Sequence, residues 1–124
     1  MASPLVILYV CEENQSLGIR FILSIAGYSV LVANNGPSAA ENLRRQPVDL
    51  ILADQSLPRD TFAELLRRSK ELKQDAPIAL LVSSLKGRHA RNGIDLVLTR
   101  EMDPPELLAA IAQAVSRTAA ARAI

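Results

Sequence analysis

A chain of 124 residues that is 49% hydrophobic but only 3% aromatic fits one domain with an aliphatic core. Its 14 basic and 13 acidic residues leave a formal charge of +1, which excludes a long-range pull toward nucleic acid or an anionic membrane. Cys11 is the single cysteine, so no internal disulfide forms, and no apolar run approaches the ~18 residues of a membrane span.

Leu5 to Val10 is short, apolar and β-branched, the pattern of a strand buried on both faces. Asn14 to Ala26 has helical spacing, with Leu17, Phe21, Ile22 and Ile25 on one stripe, Asn14 as a cap and Gly27 as the C′ residue. Tyr28 to Val32 reads as the second strand. Pro37 to Gln46 is a shorter helix, opened by Gly36-Pro37 and stopped before Pro47. Val48 to Ala53 is the third strand. Thr61 to Lys73 places Phe62, Leu65, Leu66, Ser69 and Leu72 along one side of a helix, with Arg67, Arg68 and Lys70 elsewhere.

Pro77 to Val82 reads as the fourth strand and Ile94 to Leu98 as the fifth. Between them, Ser83 to Asn92 holds Lys86, Gly87, Arg88, His89 and Arg91 with little apolar patterning, so a helix there is expected to be short or frayed. That basic cluster lacks interleaved aromatics and reads as a solvated stretch, with no direct nucleic-acid contact expected. Asp103-Pro104-Pro105-Glu106 opens the last helix with an N-cap Asp, Pro at N1 and Glu at N3. Leu107, Leu108, Ile111, Ala114 and Val115 form its apolar stripe. Ala109, Ala110, Ala112 and Ala114 favour the helix and leave room for close packing against a second copy of the chain. Thr118 to Ile124 reads as an Ala-rich tail, disordered or opening a linker.

Five buried strands alternating with helical segments require parallel pairing and right-handed crossovers. The expected architecture is an α/β doubly wound (βα)5 fold, a five-stranded parallel sheet in the flavodoxin-like order 2-1-3-4-5. One domain covers residues 1–124, with its core at about 5–117. No basic segment followed by an apolar stretch and a cleavage site opens the chain. The expectation is a soluble cytoplasmic domain, either free-standing or part of a longer protein.

In such a sheet, ligands bind beyond the carboxyl ends of the strands. Those ends are Cys11-Glu12-Glu13, Asp54, Val82-Ser83-Ser84 and Thr99-Arg100-Glu101. Carboxylates, hydroxyls and a guanidinium therefore meet at one edge. Clustered carboxylates call for a cation, and hard oxygens favour Mg²⁺.

The segments VILYVCEEN, PVDLILADQSLP, APIALLVSS and GIDLVLTREMDPPELLAAI, in this order and spacing, resemble the response-regulator receiver family from about Val6 to Val115. The resemblance implies a signalling domain rather than a conventional enzyme. Asp54 would accept a phosphoryl group from a histidine kinase or a phosphotransfer protein. Glu12, Asp54 and the main-chain carbonyl of Ser56 would hold Mg²⁺, Pro58 would shape the following loop, and Arg100 and Ser83 would contact the phosphoryl group. Several positions depart from the family pattern. Cys11 replaces an acidic residue, Glu12 is longer than the usual Asp, and Arg100 replaces a lysine. Val82 stands where a hydroxyl residue is usual, Val97 where an aromatic is, and Glu101 where a proline is. These departures define the alternative: a phosphorylation-independent pseudo-receiver acting as a protein interaction module. A flavodoxin-fold enzyme is disfavoured, because the chain has no GxGxxG, no Gly-rich phosphate loop and no GxSxG.

Overall fold

The computed structural model describes residues 4–12, 17–72, 76–84 and 93–122, with 117–122 described by backbone alone. The elements in chain order are β1 (Val6–Val10), α1 (Leu17–Ile25), β2 (Ser29–Ala33), α2 (Gly36–Arg45), β3 (Leu50–Asp54), α3 (Arg59–Glu71), β4 (Ile78–Val82), β5 (Leu96–Thr99) and α4 (Pro104–Arg122). All strand pairings are parallel, and the sheet order is β2-β1-β3-β4-β5. This is the order expected from the sequence.

Side chains alternate across each strand, and that alternation divides the core in two. Leu8, Val10, Ile51, Ala53, Leu80 and Val82 face one layer, where α2 contributes Ala39 and Leu43 and α3 contributes Phe62 and Leu65. Ile7, Tyr9, Leu50, Leu52, Leu81 and Leu98 face the other, where α1 contributes Ile19 and Leu23 and α4 contributes Leu107, Ile111 and Val115. β3 and β4 are buried along their whole length. That is why they read as unbroken apolar runs and not as alternating ones.

Two aspartates pin the start of the ladder. Asp49, just before β3, accepts from the N–H of Val6 at 2.7 Å. Asp95, just before β5, accepts from the N–H of Ile78 at 2.8 Å. Each carboxylate satisfies the first donor of a neighbouring strand, which would otherwise lack a ladder partner. At the other end of the strands, β1 lies beside both β2 and β3. The chain crosses outward to β2 and then returns to the far side of β1, so the β1 and β3 tips flank the point where strand order reverses. This is where such sheets open a crevice.

Some local expectations change. Leu17, Phe21 and Ile25 are 78%, 66% and 70% exposed, and the buried side of α1 is Ile19 and Leu23. The helical period holds, but the sheet selects the opposite face. Asn35 caps α2 by accepting from the N–H of Ser38 at 2.8 Å, one residue before the expected Gly36-Pro37 opening. α3 begins at Arg59 after Pro58, with no side-chain cap. Gly27 has φ +98, as its C′ assignment requires, and the N–H of Tyr28 reaches back to the Leu23 carbonyl at 3.2 Å. β5 starts at Leu96, not Ile94. α4 continues to Arg122, through residues that the sequence presents as a tail, consistent with alanine's helix preference. Asn14, Glu13 and the Lys86–Arg91 cluster with His89 lie outside the described residues.

Candidate functional site

Asp54 is the last residue of β3 and is 4% exposed. Its backbone ends the buried strand, and the chain turns at once: the N–H of Leu57 bonds to the Asp54 carbonyl at 3.1 Å. The turn folds Ser56 back over the carboxylate. Both the N–H and the hydroxyl of Ser56 donate to Oδ1, at 3.0 and 2.9 Å. Oδ2 is held by the Arg100 guanidinium through Nη2. The two oxygens therefore face different partners, a neutral turn on one side and a cation on the other.

Arg100 follows β5, and its N–H continues the ladder to the Val82 carbonyl at 2.9 Å. Its side chain is one-third exposed and reaches past β4 to β3. There Nη2 also donates to the hydroxyl of Tyr9, on β1, at 3.2 Å. Tyr9 is fully buried. Burial pushes its phenol up to about 12, against the pull of Arg100. Cys11 follows β1, is fully buried and belongs to the same buried cluster as Tyr9. Burial, reinforced by the Asp54 carboxylate, pushes its thiol up, so it stays neutral at physiological pH. The Arg100 guanidinium is itself held above its ordinary value; burial opposes this, but Asp54 and Tyr9 outweigh it.

The rim is built from the neighbouring tips. Ser83 is exposed past β4; its N–H donates to Gln55 Oε1 at 3.4 Å, and its carbonyl accepts from the Thr99 hydroxyl at 3.4 Å. Thr99 in turn receives the N–H of Glu101 at 3.1 Å. Glu12 is exposed at the tip of β1. Val10 pairs with Ala53 in register, so the next residue on each strand, Cys11 and Asp54, sit level with each other. Val82 is fully buried among Ala53 and Leu80 on the α2–α3 side, and Val97 packs against the same cluster.

The structure thus joins Asp54, Ser56 and Arg100 directly. It places Glu12 and Ser83 at the same edge and sends Val82 into the core. Among the described residues, no three His, Cys, Asp or Glu side chains are grouped to hold a metal ion. Sequence reasoning missed Tyr9 and Gln55. Tyr9 was detectable as a phenol in an apolar strand, because a buried hydroxyl must find a partner.

The sequence profile of the response regulator receiver domain matches residues 10–112 of the chain. The chain is 32% identical over 110 residues to the transcriptional regulatory protein DltR of Streptococcus agalactiae, covering 84% of this chain and 49% of DltR. It is 31% identical over 109 residues to the autoinducer 1 sensor kinase/phosphatase LuxN of Vibrio harveyi, covering 88% of this chain and 13% of LuxN. The chain therefore spans half or less of these relatives' length. Among solved structures, the receiver domain of the sensor histidine kinase PA1611 of Pseudomonas aeruginosa, with a magnesium ion coordinated in its active site cleft, superposes with a TM-score of 0.75 at 24% identity. That match covers 92% of this chain and 99% of the other, and it shows the shared fold.

Proposed function

Because the chain belongs to the response regulator receiver domain family, we propose that it works in a phosphorelay and that Asp54 takes a phosphoryl group from a histidine kinase or a phosphotransfer protein. The observation that carries this reading is the Asp54 carboxylate, buried at the β3 tip and held between Ser56 and the Arg100 guanidinium. A carboxylate oxygen would attack phosphorus while the P–N bond to the donor histidine breaks. The leaving imidazole keeps the electron pair and takes a proton. Arg100 then faces the charge that develops on the transferred group, and Ser83 is the rim hydroxyl available to its oxygens.

Glu12, Asp54 and the Ser56 carbonyl would hold Mg²⁺, the ion found in the Pseudomonas aeruginosa neighbour. Their chemistry fits a hard cation. The ion would neutralise the transferring phosphoryl oxygens when bound. Cys11 is neutral where the family carries a carboxylate, so affinity is expected to be weak.

α1 offers Leu17, Phe21 and Ile25 as an exposed apolar row. We assign this row to donor docking. Among the described residues, no helix is long and apolar enough to cross a membrane.

Acetyl phosphate with Mg²⁺, followed by intact mass measurement, tests the acceptor. One added phosphoryl group is expected on the native chain and none on Asp54→Asn. A second reading, the phosphorylation-independent interaction module, is favoured by one feature: Val82 fills the hydroxyl position and packs into the core. An unchanged mass under these conditions would select it.

A further inference from the structure

Arg100 and Asp54 belong to the β5 and β3 ends of the sheet, and β4 lies between those strands. At ordinary strand spacing that separation is roughly 10 Å. The guanidinium must therefore be carried sideways over β4 on a side chain with many rotamers, and holding it in one place costs conformational entropy. A contact to Asp54 Oδ2 alone would leave it able to pivot. A second contact comes from Tyr9, 91 positions earlier in the chain, whose hydroxyl accepts from the same Nη2 at 3.2 Å. Tyr9 sits in β1, between β2 and β3, and is fully buried. One nitrogen of the guanidinium, Nη2, thus serves carboxylate and phenol together.

We propose that Tyr9 is a positioning residue for Arg100, fixing the guanidinium across Asp54 and thereby setting how fast Asp54 acquires a phosphoryl group. The proposal rests on the reading of Asp54 as acceptor only for its kinetic half; the restraint on Arg100 is a property of the resting molecule. It also gives the tyrosine at position 9 and the arginine at position 100 a joint role, since each supplies what the other needs. Phenylalanine at position 9 would keep the shape and remove one of the guanidinium's acceptors in a partly buried site.

The test uses the full chain and four proteins: native, Tyr9→Phe, Arg100→Met and the double variant. Nitrogen-15 spectra of the arginine guanidinium groups come first, with Arg100 identified by its loss in Arg100→Met. In the native protein its Nη resonances are expected to be resolved by hindered rotation; in Tyr9→Phe they should collapse toward the free-arginine position. Initial rates of labelling by acetyl phosphate with Mg²⁺ come second. Tyr9→Phe is expected to slow labelling about tenfold, the size of a coupling within one hydrogen-bonded network. The same change in the Arg100→Met background should cost less than about twofold if Tyr9 acts through Arg100.

Equal slowing in both backgrounds, or native-like Arg100 resonances in Tyr9→Phe, overturns the proposal. If the native chain takes no phosphoryl group, the acceptor reading fails by itself, and the guanidinium spectra still decide whether Tyr9 positions Arg100. Should Tyr9→Phe not fold, Arg100→Met gives the reciprocal measurement. The Tyr9 ¹³Cζ resonance shifts when its donor is withdrawn, and an unmoved resonance overturns the contact.

Discussion

A phenol inside an apolar strand is an acid kept from water, and Tyr9 is such a group. Its ionisation is raised from 10.0 to about 12, chiefly by burial. The folded state therefore holds the phenolic proton more tightly than the unfolded chain does, so folding stability from this residue is complete below pH 10.0. It is lost progressively as pH rises through about 12. Urea unfolding at a series of alkaline pH values should show this decline, and Tyr9→Phe should reduce its slope. Cys11, one alternation along on the same face, behaves in the same sense: buried and pushed upward, it should react with iodoacetamide far more slowly in the native protein than in urea. The meeting of Asp54 with Arg100 was anticipated from strand tips alone. The contact of Arg100 with Tyr9 was not, because nothing local in either segment refers to the other.

Among the elements, helix faces are where local pattern and packing part company. In α1 the apolar positions recur at helical spacing, yet two arcs compete: Leu17, Phe21 and Ile25 against Ile19 and Leu23. The sheet takes the second. The first is left in water, and it is the row proposed above for donor docking. Phe21→Asp is therefore expected to slow phosphotransfer from a phosphohistidine protein about tenfold or more. It should alter stability in urea by no more than about 0.5 kcal/mol, as for an exposed site. α2 carries its own start instruction in Asn35, whose side chain closes on Ser38. Asn35→Ala should cost about 1 kcal/mol of unfolding free energy, measurable as a lower urea midpoint with an unchanged m-value.

At the scale of the whole molecule, two apolar layers meet on one sheet, and β3 lies at its centre with every residue buried. Truncating Leu52 to alanine, a side chain fully buried in the α1–α4 layer, should therefore destabilise the chain by about 2–5 kcal/mol in equilibrium urea unfolding. At the base of the sheet Asp49 and Asp95 bond the first N–H of β1 and β4, and β1 pairs with β3 so that Val10 lies opposite Ala53. That register sets Cys11 level with Asp54 at the opposite end. The site is thus a consequence of strand order: β1 and β3 lie side by side where the crossovers change sides of the sheet, and Ser56 and Arg100 close around the carboxylate from two sides.

Strand count, their parallel order and the residues at each strand tip were legible from the sequence, because apolar runs and turn residues act within a few neighbours. Asp54, Glu12, Ser83 and Arg100 stand out on that basis, and the fold delivers all four to one edge. Only the tertiary structure decided which face of α1 turns inward, that Val82 points into the core, and that Tyr9 meets Arg100. Those outcomes depend on packing between segments tens of residues apart, and no pattern inside a single segment encodes them.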